Sequence, residues 1–65
     1  MNRLALRPAA AADAIDVSRS KIYELIAKGE IPAVRIGRSK RVLVCDLESW
    51  LEKKRVEATH ASDAL

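Results

Sequence analysis

Sixty-five residues leave room for one small domain with one core, and a folded chain of this size hides only roughly 60% of the surface its unfolded form exposes, too little to enclose a deep substrate cavity. Twelve Lys and Arg against nine Asp and Glu give a formal charge of +3, with 49% apolar and 3% aromatic residues, the composition of a basic globular domain rather than a disordered one. The single cysteine, Cys45, and the single histidine, His60, exclude an internal disulfide and a structural metal site; no apolar run approaches the roughly 18 residues that span a bilayer, and the alanine stretch at 9–12 is too short and too weakly hydrophobic for a signal peptide. A soluble, cytoplasmic protein without metal or cofactor is expected.

The first element is weak. Leu4-Ala5-Leu6-Arg7 alternates enough for a short edge strand or an extended arm. Pro8 presets φ for a first helical position, and the alanine-rich run Ala9 to Ile15 predicts a helix of about two turns. Ala11, Ala12 and Ile15 face inward, small enough to let a second helix approach closely. Asp16 and Val17 form the turn.

Ser18 is a good N-cap, and Val17 before it can staple to Ile22. A second helix is predicted over Arg19 to Lys28, with Ile22, Leu25 and Ile26 as its buried stripe. Arg19, Ser20, Lys21 and Tyr23 remain on its other faces near the amino end, and Gly29 ends it.

After Pro32 the periodicity becomes extended. Ala33 to Ile36 and Arg41 to Val44 read as two β-branched strands, with Gly37-Arg38-Ser39-Lys40 as the hairpin loop between them. A last helix begins near Cys45 or Asp46, with Leu47, Trp50 and Leu51 as its apolar stripe and acids in its first turn. The periodic domain therefore covers residues 1–57, and 58–65 read as a flexible tail.

The charge is segregated along this plan. Between Val17 and Arg41 seven basic residues face two acidic ones, a local net of +5, while the remainder sums to −2. That distribution is the footprint of a nucleic-acid binder, because phosphate contacts need clustered cations. The order helix, tight turn, helix and basic hairpin is that of a small α+β winged helix-turn-helix: two helices, a β-hairpin wing and a C-terminal helix. In that plan Ser18, Arg19, Ser20 and Lys21 present the amino end of a recognition helix to the major groove of duplex DNA. Arg38, Lys40 and Arg41 around Gly37 and Ser39 reach the adjacent backbone or minor groove.

The run Val17-Ser18-Arg19-Ser20-Lys21-Ile22-Tyr23, then Leu25-Ile26, then Gly29 through Arg38, then Asp46-Leu47-Glu48-Ser49-Trp50-Leu51, resembles the excisionase family of small DNA-binding domains, relatives of the MerR-type winged helix. The resemblance spans roughly residues 4–52. It implies that the Ser18 to Lys28 helix enters the major groove and that the Gly37 to Arg41 wing meets the minor groove or backbone. It further implies DNA bending that steers a site-specific integrase, a tyrosine recombinase, toward excision from phage or plasmid DNA. Three positions depart from the family pattern: Asp16 where glycine commonly closes the first helix, Lys40 where the wing commonly has an aromatic, and Leu43 where proline often follows.

Local chemistry separates the residues further. Cations at a helix amino end oppose the dipole, so an external anion accounts for Arg19 and Lys21 better than solvation does. Ser20 shares that end, where serine is also common for local reasons. Tyr23 admits two roles, covering the core edge or reaching a phosphate with its hydroxyl. Arg35 either joins the wing contacts or pairs with an acid. Trp50 belongs to the core, Cys45 reads as a small, partly buried hydrophobe, and His60 lies in the tail with no partner implied. No nucleophile, histidine and acid set, carboxylate pair or phosphate-cradling glycine loop appears, so an enzyme is not expected. The expected partners are duplex DNA, an integrase and further copies bound cooperatively on the same DNA, because one short recognition helix has a small footprint. A transcriptional regulator of the same fold uses the same contacts, and a module whose basic face meets an acidic protein is the alternative of a different class.

Overall fold

The computed structural model describes residues 3–64, with side chains described as far as Thr59. Three helices and a three-stranded antiparallel sheet build a winged helix-turn-helix. The order is β1 (Ala5–Leu6), α1 (Pro8–Ala14), α2 (Arg19–Ala27), β2 (Val34–Ile36), β3 (Ser39–Leu43) and α3 (Val44–Ala64). Strand β3 is central, with β1 on one side and β2 on the other.

The turn between α1 and α2 is made by two local devices. At the end of α1 the amide of Val17 donates to the Ala12 carbonyl at 2.9 Å and that of Asp16 to the Asp13 carbonyl at 3.2 Å, the paired bonds of a Schellman ending. Asp16 takes the left-handed conformation this ending requires, with φ 58°, which explains how an aspartate stands where glycine is usual: Asp tolerates that region better than most residues. Ser18 then caps α2, its Oγ accepting from the Lys21 amide at 3.1 Å. Helix α2 closes on a second Schellman ending, Glu30 N–H to Leu25 carbonyl and Gly29 N–H to Ile26 carbonyl, with Gly29 at φ 77°.

The core sits where α1, α2 and the sheet meet. Ala11, Ala12, Ile22, Leu25, Ile31, Val42 and Leu47 are buried, with Leu6, Ile15, Val17, Ile26, Ala33 and Trp50 packed around them. The two buried alanines of α1 leave space for α2, as their size predicts. Ile31, which no helical or strand pattern marked, is fully buried, because the second Schellman ending turns the chain back under α2.

Several expectations are corrected. The wing loop is two residues, Gly37 and Arg38, not four: β3 begins at Ser39 and pairs Ile36 with Ser39, Arg35 with Lys40 and Val34 with Arg41. Gly37 at φ 64° supplies the positive first position of a tight two-residue hairpin, so no further loop residues are needed and Ser39 and Lys40 enter the ladder. Helix α3 starts at Val44, whose amide donates to the Leu4 carbonyl at 2.9 Å. That early start leaves Cys45 exposed rather than partly buried. Leu51 is 44% exposed, because α3, about 30 Å long, outruns the body that covers Leu47. The helix continues through residues 58–64, with Glu52–Arg55 and Lys54–Glu57 pairs one turn apart and Thr59 Oγ1 donating to the Arg55 carbonyl. Leu65 lies outside the described residues.

One further contact seats α3. Trp50 Nε1 donates to Glu30 Oε1 at 3.5 Å, and Lys54 lies 3.6 Å from the same carboxylate oxygen and 5.5 Å from the indole centroid. Trp50 thus packs at the core edge with its polar tip answered at the α2 ending, the arrangement favoured for a half-buried indole.

Candidate nucleic-acid interface

Helix α2 and the wing converge on one cleft. Arg7, Pro8, Ala9, Arg19, Tyr23, Ser39, Lys40 and Arg41 line it, enclosing about 390 Å³. Arg19 and Tyr23 are one helical turn apart on α2, so they share a face. Ser39, Lys40 and Arg41 come from β3, whose position is set by pairing on both sides. A larger groove of about 860 Å³, lined by Arg3, Leu4, Leu6, Leu43, Val44, Cys45 and Glu48, is mainly apolar and holds one cation opposite one acid. The charge chemistry is concentrated in the smaller cleft.

Ten of the twelve cations fall into two groups; the other two, Arg3 and Lys53, make no ion pair among the described residues and lie away from α2 and the wing. Lys21 and Lys28 both pair with Glu24, at 3.4 and 3.2 Å, while Lys54 and Arg55 pair with acids on α3 or at the α2 ending. Glu24 is accordingly held below its ordinary carboxylate range, first by its hydrogen bond with Lys28 and then by the charge of Lys21. By contrast, Arg7, Arg19, Arg35, Arg38, Lys40 and Arg41 make no ion pair among the described residues. Arg41 makes one internal bond, Nη1 to the Lys40 carbonyl at 3.0 Å.

The wing register sharpens the point. Arg35 and Lys40 are direct cross-strand partners, which puts two like charges side by side on one face of the hairpin. Such a pair is destabilising in an isolated sheet, and among the described residues Arg35 pairs with no acid, although one reading of the sequence allowed it. On the opposite face lie Val34 and Ile36, the latter 58% exposed.

The residues expected from sequence fall as follows. Arg19 and Tyr23 of the recognition helix come together with Ser39, Lys40 and Arg41 of the wing in the cleft. Tyr23, 49% exposed, belongs to this surface rather than to the core. Ser18 is occupied as the α2 cap. Ser20 and Lys21 are exposed on α2 outside the cleft lining, with Lys21 partly answered by Glu24. Arg35, Gly37 and Arg38 extend the surface along the wing. Arg7 was not singled out from sequence. Its one local signal was an arginine directly before a helix-opening proline, where a capping side chain is the usual choice. Among the described residues no helix is long and apolar enough to cross a membrane, and no three His, Cys, Asp or Glu side chains are grouped to hold a metal.

A family model described as a helix-turn-helix domain matches residues 5–55, from β1 into α3. The chain belongs to the helix-turn-helix domain family. Proteins similar to it include one from Saccharopolyspora erythraea named "Probable excisionase", 46% identical over 41 residues, covering 63% of this chain and 42% of that protein. Another, from Mycobacterium tuberculosis, is named "Putative DNA-binding protein" and is 43% identical over 42 residues, covering 65% of this chain and 54% of its own length. The match thus spans about half the length of these relatives. No solved structure matches the chain.

Proposed function

We propose that this helix-turn-helix domain binds duplex DNA and bends it as an excisionase-like accessory factor, directing an integrase toward excision, with no catalytic role of its own. Helix α2 enters the major groove with Ser18, Arg19, Ser20, Lys21 and Tyr23. The wing, Arg35 and Gly37 to Arg41, meets the neighbouring minor groove or backbone. One observation carries this reading above the others: among the described residues six cations around α2 and the wing have no acidic partner, while of the six others Lys21, Lys28, Lys54 and Arg55 are paired. Folding alone favours separating or neutralising such charges, so their retention on one surface calls for an external polyanion.

The excision role rests on likeness to the Saccharopolyspora erythraea protein named an excisionase. The likeness to the Mycobacterium tuberculosis protein named only as DNA-binding favours a second reading, a small transcriptional regulator acting through the same contacts. Both place the protein in the cytoplasm, on the nucleoid, with further copies on neighbouring sites.

Salt titration tests DNA binding. Six to eight phosphate contacts give a slope of log affinity against log salt of about −5 to −7, and Arg38→Ala or Lys40→Ala each flatten it by about one. Unchanged slopes in both variants would remove the wing from the interface, and tighter binding to an acidic protein than to any duplex would favour the interaction module. Selecting bound duplexes from a random pool and measuring their bending separates the two DNA readings: closely spaced repeated sites with bending support the excisionase, a single unbent operator the regulator.

A further inference from the structure

We propose that the cleft between α1, α2 and β3 seats one backbone phosphate of the bound duplex, and that Arg7 is the side chain that completes it. The inference rests on the DNA-binding reading above and assigns to it a residue outside the recognition helix and the wing.

Arg7 lines the cleft together with Arg19, Tyr23, Lys40 and Arg41. Its backbone is extended, φ −64° and ψ 152°, in the N-cap position of α1, yet its side chain makes no capping hydrogen bond. Ser, Thr, Asp and Asn stabilise that position by accepting from the first free amides, which a guanidinium cannot do. Local helix formation therefore does not account for an arginine here. The sheet adds a second, independent constraint. The β1–β3 ladder ends with Leu6 opposite Val42, so Arg7 follows directly on the residue paired next to Arg41, and the two line the same cleft. Like charges gathered in one cleft repel, and neither Arg7 nor Arg41 has an acidic partner among the described residues.

The position of Arg7 is held from both sides, by the ladder through Leu6 and by the buried ring of Pro8. The cleft thus gathers guanidinium groups from the α1 cap, from α2 and from β3, with the Lys40 ammonium beside them. Guanidinium forks match the paired unesterified oxygens of a phosphodiester, and bidentate contacts of this kind are strong and directional. A phosphate gripped from three elements fixes the spacing between recognition helix and wing on the duplex. It carries no sequence information, because every nucleotide offers the same group.

The test uses the full chain with Arg7→Gln, which keeps length and polarity, alongside Arg7→Lys and Arg38→Ala. Each is titrated against a duplex selected from a random pool and against an unrelated duplex, over about 50 to 200 mM salt. The expected result for Arg7→Gln is a loss of roughly tenfold on both duplexes alike and a slope flatter by about one. Arg7→Lys should regain the slope but only part of the affinity, since the charge returns without the fork. Phosphate-ethylation interference should disappear at a single position, and the melting temperature by circular dichroism should not fall. A wild-type slope for Arg7→Gln beside a flattened one for Arg38→Ala overturns the seat and leaves the DNA-binding reading standing. A loss confined to the selected duplex, or a lowered melting temperature with an unchanged slope, overturns it equally. Failure of the unmodified protein to bind any duplex would instead overturn the reading beneath it.

Discussion

Asp16 and Gly29 occupy the same place in two successive helix endings. Each follows the last cap residue of its helix, each donates its amide three residues back, and each has positive φ, 58° and 77°. The two endings reverse the chain on either side of α2 and so set the angle at which its amino end leaves the body. A β-carbon built on Gly29 meets no atom within 4 Å, so substitution there costs backbone energy alone. Gly29→Ala is expected to destabilise the fold by about 1 kcal/mol, and Asp16→Gly to stabilise it by about 0.5 kcal/mol, the left-handed penalty being partly offset by the entropy of the unfolded chain. Urea unfolding followed by Trp50 fluorescence reads both changes. Equal effects of the same sign would show that the endings do not share this role.

The core has little reserve. Ile22 is fully buried at the centre of α2, and truncating a buried isoleucine to alanine costs about 2–5 kcal/mol. A single core in a chain of this size rarely supplies more than about 3–5 kcal/mol of stability. Ile22→Ala should therefore leave the domain largely unfolded at 25 °C, seen as a loss of helical circular dichroism and of the cooperative melt. Tyr23→Phe, one residue away on the exposed face, should melt as the unmodified protein does.

Arg35 and Lys40, facing each other across the wing, set stability against binding. Arg35→Glu would put a carboxylate opposite the Lys40 ammonium and should stabilise the hairpin by roughly 0.2–1 kcal/mol. The same change should weaken duplex binding by roughly tenfold or more at low salt, by removing one cation and adding an anion at the interface. Melting temperature and band shifts measured on one preparation should move in opposite directions. A tighter fold with undiminished DNA affinity would exclude Arg35 from the interface.

Glu24 stands between Lys21 and Lys28, and both hold its carboxyl below the ordinary range. A depressed folded pKa means that the carboxylate supports the fold at neutral pH, and that this support fades as the pH falls through the lowered value. Glu24→Gln should flatten the acid limb of a stability–pH curve. Because the variant also releases Lys21 from its partner, duplex affinity at neutral pH and low salt should rise roughly threefold. Weaker binding would mean that the Glu24 pair positions Lys21 rather than neutralising it.

What could be read from the chain alone was whatever neighbouring residues decide between themselves. The Ser18 cap, the Gly29 ending, the alanine face of α1 and the Ile22–Leu25 stripe depend on contacts within a turn or two, and all appear in the structure. The segregation of charge was equally legible, since it needs only the order of residues and the element that carries each. The length of the wing turn was not, because Gly37 is compatible with several loops until the β2–β3 ladder chooses one. The fates of Ile31, Cys45 and Leu51 also waited on tertiary structure. Whether a side chain is covered depends on which distant element lies over it, and on how far α3 runs past the body. Arg7 shows the difference most clearly: in sequence it is one arginine before a proline, and only the pairing of β1 on β3 and the packing of α1 against α2 bring it into one cleft with Arg19 and Arg41.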